Sequence, residues 1–245
     1  MYIRSLISLT YYTIDSLEIG SFQHIAPIVI TSVLALALIL FAKRKLDQAK
    51  QEQMFKGLGY FVSLTVLVYH INLIIKGNYN LSTDLPLFLC SFMALFIFVF
   101  TNSRKYWVFE ILLFWIIAGT SQAVITPDIS VGFPSFDYFR YWIAHLGLIV
   151  IIFYAIFVFK MYPTWKSMFK SFLALQVYMF VIFGINFLLD ANYSYLNKKP
   201  NSASALDYLG DWPTYLLVVE VFLIPYFLII YLPFFIAGKL NKKAI

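Results

Sequence analysis

Long apolar stretches recur along the whole chain, and they constrain its fold more than any other feature of the sequence. About 20 consecutive apolar residues are enough for an α-helix to cross the ~30 Å hydrocarbon core of a bilayer. Only 12% of the residues are charged, whereas soluble domains carry roughly 25%, so a water-soluble fold is excluded. Lipid cannot satisfy exposed backbone N–H and C=O groups, so the stretches must be helices.

The sequence therefore predicts an all-α, polytopic membrane protein with about seven transmembrane helices in a single bundle over residues 1–245. Between the first two spans, the polar segment Lys43–Lys56 is predicted to connect them, partly as a surface helix. In the last span, Pro225 and Pro233 predict a kink or a break. The predicted spans are Ile25–Ala42, Leu58–Ile75, Leu85–Thr101, Trp107–Ile125, Phe139–Phe159, Met168–Leu189 and Pro213–Ala237.

The basic residues lie mostly on one side of these spans. That side includes Lys43–Lys45, Arg104–Lys105 and the basic C-terminal residues, while the other side includes Arg4 and Arg140. The positive-inside rule then places the N-terminus outside and the C-terminus inside, for a multi-pass protein of the cell membrane. We expect its partners to be membrane lipids and not nucleic acid, despite the net charge of +6, and we expect no cofactor. The oligomeric state stays open.

Polar side chains inside the spans are the candidate functional residues, because each one is costly to place in a bilayer. Most of them fall in the outer third of the predicted membrane region. They are His24, His70, Cys90, Gln122, His145, Asn186 and Asp190, to which we add Asn192 in the following loop and Glu220 in the last span.

Each candidate also has a purely structural interpretation. A single cysteine in an apolar helix is usually a small hydrophobic residue, and Gln122 and Asn186 could simply join helices by hydrogen bonds. His24 and His70 could lie at the headgroup level. Glu220 could orient a histidine or pair with another group.

The position of Cys90 depends on where the third helix begins. A start at Leu85 would put Pro86 in the first turn, where proline is tolerated, and would make Asp84 the cap. Cys90 and His145 would then lie at a similar depth, roughly 8 Å below the outer surface. On the inner side, Glu110 is predicted to pair with Arg104 or Lys105.

Several segments together resemble one family of membrane proteins. They are Leu85–Cys90, Ala118–Ala123 with Ile125–Asp128, Phe139–His145, and the specific pair Asn192–Pro200 and Asp207–Pro213. The sequence is similar, from residue 24 to residue 233, to the YwaF-type bacterial integral membrane proteins. These are related to a eukaryotic transmembrane acyltransferase of ether phospholipids.

The resemblance implies a polytopic helical bundle and acyl transfer through a cysteine. Cys90 matches the cysteine position and His145 the histidine of the fifth span, whereas Phe88 stands where we expect many relatives to carry a histidine. On this hypothesis Cys90 is the nucleophile, His145 moves the proton, and Gln122 or Asn186 donates to the oxyanion. The loop Asp190–Trp212 is predicted to fold over the pocket.

Two other classes of function remain open at this stage. A seven-helix transporter or receptor would use the same polar pocket to bind a small ligand without a covalent step. A metal-dependent hydrolase would use His24, His70 and His145 as ligands, although their spacing gives no support for such a site.

Overall fold

The structure is a computed structural model and describes residues 17–129, 131–200 and 204–243. It contains seven long helical segments, which we number in chain order. They are α1 Phe22–Lys45, α2 Gln48–Ile75, α3 Leu89–Ser103, α4 Tyr106–Ile125, α5 Phe136–Phe157, α6 Trp165–Leu189 and α7 Thr214–Lys243. Short 3-10 turns at Tyr193–Tyr195 and Ala205–Tyr208 lie in the loop between α6 and α7.

The membrane character of these helices agrees with the prediction from sequence. Six of them are long and apolar enough to cross a membrane, and α3 is a shorter apolar helix of 15 residues. The protein is thus an all-helical, multi-pass membrane protein with six to seven spans. The predicted orientation rests partly on Arg4, and residues 1–16 lie outside the described residues.

The centre of the bundle is formed by α2, α3 and α5, which pack on one another. Around this centre, α1 packs on α5, α4 packs on α6, and α7 packs on α6 and on the middle of α4. Gly59 allows α2 to approach α3 so closely that a Cβ atom there would overlap the side chain of Thr101. Gly147 similarly brings α5 against Val62 of α2, where a Cβ would lie 2.5 Å from Cγ2.

We expect Gly59→Ala to lower the free energy of unfolding in detergent by about 1–3 kcal/mol, the usual cost of overpacking. Gly57 is the matched control, because it lies in the same helix and a Cβ atom there would meet nothing within 4 Å. Gly57→Ala should be neutral or stabilising by about 0.5–1 kcal/mol, since alanine favours helix over glycine. Equal effects in denaturant or thermal unfolding would contradict the close α2–α3 contact.

Two predicted helix boundaries are wrong. The segment before Leu58 is part of α2, which begins at Gln48 because the Asp47 side chain accepts a hydrogen bond from the Lys50 N–H at 2.8 Å. The third helix begins at Leu89 and not at Leu85, since its preceding residues find tertiary partners. The Leu85 N–H donates to the Tyr193 hydroxyl at 2.9 Å, and the Tyr178 hydroxyl donates to the Leu87 carbonyl at 2.8 Å.

Asp84 therefore does not cap α3. Its carboxylate accepts hydrogen bonds from the Asn80 N–H and the Thr83 hydroxyl, at 2.8 and 2.9 Å, and so closes the preceding turn. Residue Phe88 occupies the cap position of α3 without a side-chain hydrogen bond.

Two further expectations about the helices need correction. The last helix, α7, runs continuously from Thr214 to Lys243 through both prolines, so the predicted break does not occur, whereas a kink at the prolines stays a prediction. Glu110 pairs with neither Arg104 nor Lys105. Its buried carboxylate accepts hydrogen bonds from Lys170 Nζ at 2.6 Å and Ser167 Oγ at 2.7 Å, which joins α4 to α6.

Candidate active site

A cavity of about 420 Å³ lies where helix ends and the α6–α7 loop meet near one membrane surface. We call it the Cys90 cavity. Three of the candidate functional residues from the sequence analysis line this cavity together: Cys90, Gln122 and His145. The remaining lining residues come from α3, α4, α5, α6 and three connecting segments: Phe88, Leu89, Ser91, Gly119, Ala123, Thr126, Asp128, Arg140, Tyr141, Met179, Ser194, Tyr195, Pro200, Ser204 and Leu206.

Cys90 is the second residue of α3 and faces the irregular part of α4. Its Sγ lies 3.6 Å from Thr120 Oγ1, and Thr120 is fully buried. Residues Ile116–Thr120 form a π-helical segment within α4. A π-helical turn inserts extra backbone into an α-helix and is frequent at functional sites. Here it lies directly opposite the thiol.

The side chain of His145 is held in one tautomer. Its Nδ1 lies 2.7 Å from the carbonyl oxygen of Tyr141, one turn earlier in α5. A carbonyl can only accept a hydrogen bond, so Nδ1 carries the proton and Nε2 keeps its lone pair. The ring also packs on Tyr141, with 4.0 Å between ring centroids. His145 is buried. In this tautomer its Nε2 can accept a proton, as a general base must.

Asp128 and Tyr195 join two connecting segments across the cavity, and neither was a candidate in the sequence analysis. The Tyr195 hydroxyl donates to Asp128 Oδ2 at 2.7 Å, and burial, followed by this carboxylate, raises the pKa of Tyr195. The phenol therefore stays protonated and keeps donating at neutral pH. The only sequence signal for this contact was that both residues fall within the motifs of the family resemblance.

Arg140 is a further cavity residue, which the sequence analysis treated only as an external basic residue. It forms an ion pair with Asp137, and its guanidinium lies 4.5 Å from the ring centroid of Tyr69. These contacts hold the cation at the edge of the cavity.

The predicted covering loop lines the cavity through Ser194, Tyr195, Pro200, Ser204 and Leu206. It is anchored beside the cavity by Tyr193, which is fully buried. Its hydroxyl accepts from the Leu85 N–H and donates to the Leu81 carbonyl at 2.7 Å. Asn186, at the end of α6, holds the backbone of Tyr193 from both sides, by hydrogen bonds of 2.9 and 2.8 Å. The described parts of the loop thus lie over the cavity, as the lid prediction expected.

Tyr193→Phe should lower the free energy of unfolding by about 0.5–1.5 kcal/mol, because it removes the hydrogen-bond partner of the part-buried Leu85 N–H and of the Leu81 carbonyl. It should also speed amide hydrogen exchange in residues 191–200. Tyr208→Phe is the control, since Tyr208 lies in the same loop and is 90% exposed. Unchanged exchange in Tyr193→Phe would show that the hydroxyl does not anchor the loop.

Asn186 itself does not line the cavity, because its amide oxygen and nitrogen are both committed to Tyr193. It is a loop anchor outside the cavity lining, so it is not placed to donate to an oxyanion formed in the cavity. Asn192 has a related role, since its Oδ1 accepts from the N–H groups of Asn197 and Lys198 at 3.0 and 3.1 Å. Asp190 ends α6 in a left-handed conformation, at φ 49°.

His24 is buried, and both of its ring nitrogens are used. Its Nδ1 accepts from the Gly20 N–H at 2.8 Å, so Nε2 donates to the Val124 carbonyl at 2.8 Å. The ring also stacks on Trp142. These contacts join α1 to the end of α4, and His24 is not a cavity residue.

His70 and Glu220 also lie outside the cavity lining. His70 is half-buried beside Tyr69 and Tyr79. Glu220 Oε2 accepts from Gln176 Nε2 at 2.8 Å and so joins α7 to α6, without orienting a histidine. In the part of the chain that the structure describes, no three His, Cys, Asp or Glu side chains come together in a group that could hold a metal ion. The metal-hydrolase alternative therefore gains no support.

These observations define a multi-pass α-helical membrane protein with a thiol-containing cavity near one membrane surface. The chain belongs to the TMEM164 family, whose sequence model matches residues 19–231. This match establishes the family, while the narrower YwaF-type assignment stays a prediction. Comparisons with curated proteins and with solved structures gave no significant match.

Proposed function

We propose that this protein is a cysteine-dependent acyltransferase acting on membrane lipids, with Cys90 as the nucleophile and His145 as the general base. One observation carries the proposal: the thiol and a histidine whose Nε2 lone pair is kept free line the same cavity. The resemblance of the surrounding motifs to a family with an acyltransferase relative supports the same reaction class.

In the first step, His145 Nε2 takes the proton of the Cys90 thiol, directly or through one water molecule. The thiolate attacks the acyl carbonyl carbon of a lipid ester, and the bond from that carbon to the ester oxygen breaks. The departing lipid oxygen takes the proton from His145 and leaves as an alcohol. Cys90 then carries the acyl group as a thioester.

In the second step, the hydroxyl of a second lipid gives its proton to His145 Nε2 and attacks the thioester. The carbon–sulfur bond breaks, the new ester forms, and the proton returns to the sulfur. Gln122 is the remaining candidate to donate to the oxyanion. Its side chain lines the cavity, and among the described residues its amide nitrogen has one hydrogen bond, a long one of 3.4 Å to the Tyr226 hydroxyl.

No hydrogen bond joins Cys90 and His145 in the described, ligand-free cavity. This agrees with the proposal, because catalytic contacts are often long before substrate binds. The lipid would enter from the leaflet on the cavity side, which the distribution of basic residues predicts to be the outer one.

The acyl-enzyme is the decisive species to look for. Incubation with a phospholipid donor, in the absence of acceptor, should add one acyl mass to the tryptic peptide that contains Cys90, and neutral hydroxylamine should release it. Cys90 is the only cysteine, so a hydroxylamine-labile label on the wild-type protein has one possible site. If donor turnover occurs without this adduct, the thioester route is wrong.

Cys90→Ser is the companion variant for this experiment. It should either carry no label or carry an oxyester that resists neutral hydroxylamine. If the variant shows the same labile label as the wild type, the label is not on Cys90.

A further inference from the structure

Helix α1 is attached to the rest of the bundle at its two ends. At the end of α1 nearer the Cys90 cavity, the His24 ring is hydrogen-bonded to the Val124 carbonyl, and the Tyr138 hydroxyl donates to the Gln23 carbonyl at 2.7 Å. At the opposite end, Ile39 and Ala42 are buried, and Gln51 Nε2 donates to the Ala42 carbonyl at 3.0 Å. The buried residues of α1 are these two and His24, so the helix between them makes little close contact with the bundle.

A groove of about 580 Å³ occupies the space beside this middle section, between α1, α2 and α5. On α1 it is lined from Phe22 to Leu38, which is a length of about 24 Å at ~1.5 Å per residue. The opposite wall includes Phe61, Leu146 and Val150. No charged side chain lines the groove in the described part of the chain. We call it the α1 groove.

We propose that the α1 groove binds one acyl chain of a membrane phospholipid as a constitutive part of the fold. An apolar space of this size cannot hold stable water, because water needs polar partners. If it stayed empty, its lining would lose the packing contacts that a hydrocarbon chain supplies. The volume lies within the roughly 300–1,000 Å³ of small-molecule sites.

The dimensions favour an acyl chain over a transmembrane helix. A helix about 10 Å across and 24 Å long fills about 1,900 Å³, several times the volume of the groove. A chain from one leaflet needs about 15 Å of length, half of the ~30 Å hydrocarbon core, and fits within the groove. Its headgroup would lie near Phe22, Gln23 and Phe133, which line the end of the groove closest to the start of α1.

The site is separate from the proposed reaction. None of the residues that line the α1 groove also lines the Cys90 cavity. The two proposals can thus fail independently, and the α1 groove can be tested without an activity assay.

Native mass spectrometry of the full chain, purified with palmitoyl-oleoyl phosphatidylcholine and exchanged into detergent, tests the inference directly. We expect one phospholipid to remain bound per wild-type chain, and added phospholipid to raise Tm, as any ligand specific for the native state does. If the wild-type chain retains no phospholipid, the inference is wrong, whatever the variants do.

Ala35 and Ala37 provide a matched pair of variants. Ala35 lines the α1 groove, whereas Ala37 is exposed on the same helix and does not line it. Ala35→Phe should place a ring across the groove and so obstruct an acyl chain, abolishing both the retained phospholipid and the Tm response, while Ala37→Phe should keep both. Retention in Ala35→Phe, or loss in both variants, would overturn the assignment. Ala26→Phe, elsewhere in the groove, repeats the test if Ala35→Phe does not fold.

Discussion

Acyl transfer by Cys90→Ala is expected to be at least about 1,000-fold slower than transfer by the wild type, because losing the nucleophile removes the whole covalent route. The fold should persist. The thiol makes one side-chain hydrogen bond among the described residues, at 3.6 Å from Thr120. Alanine removes only one atom of a side chain that packs at the edge of the core, a loss of about 1 kcal/mol or less. The measurement is the initial rate of acyl transfer between lipids in proteoliposomes.

Binding and chemistry can be separated in the same preparation. Cys90→Ala should still bind donor phospholipid, because the shape and polar groups of the cavity remain. Ser103→Ala is the control, since Ser103 is exposed at the opposite end of α3, and its rate should equal that of the wild type. A Cys90→Ala protein that transfers acyl groups at the wild-type rate would eliminate the nucleophile assignment and leave ligand binding as the function of the cavity.

His145→Gln should slow transfer about 100- to 10,000-fold, the usual range for loss of a general base. Glutamine keeps much of the volume of the imidazole but cannot take a proton at neutral pH. Formation and transfer of the acyl group should both slow down, because the same Nε2 atom serves each step. Rapid quench of the two half-reactions, with donor alone and then with acceptor, measures them separately.

His70→Gln is the matched control for that experiment. His70 is also a histidine within an apolar helix, but it does not line the Cys90 cavity. Its replacement should leave both half-reactions close to the wild-type rates. Equal losses in the two variants would mean that the effect of His145→Gln comes from general disturbance of the bundle and not from loss of a base.

The choice among the predicted polar residues required tertiary contacts. Cys90, Gln122 and His145 line one cavity. Asn186 was predicted to lie in the same outer third of the membrane region, but its side chain is hydrogen-bonded to the backbone of Tyr193. An isolated sequence cannot distinguish these cases, because the partner of a buried amide is set by how a distant loop folds back. Asp128 and Tyr195 escaped notice for the same reason, since they lie in two separate connecting segments.

The sequence alone determined the all-helical, membrane-spanning class, because hydrocarbon allows few ways to satisfy a backbone and the apolar runs have the necessary length. It also identified the cysteine and histidine of the proposed dyad. The reason given for bringing them together, equal depth from the helix starts, was wrong. Cys90 is the second residue of α3, whereas His145 lies well inside α5, which begins at Phe136.

Only the tertiary structure decided that the two residues line one cavity. The chain before α3 is held in a non-helical conformation by the hydroxyls of Tyr178 and Tyr193, so α3 starts late. Gly147 lets α5 pack closely on α2. The relative heights of helices in a bundle depend on such contacts between distant residues, and no local pattern along the chain records them.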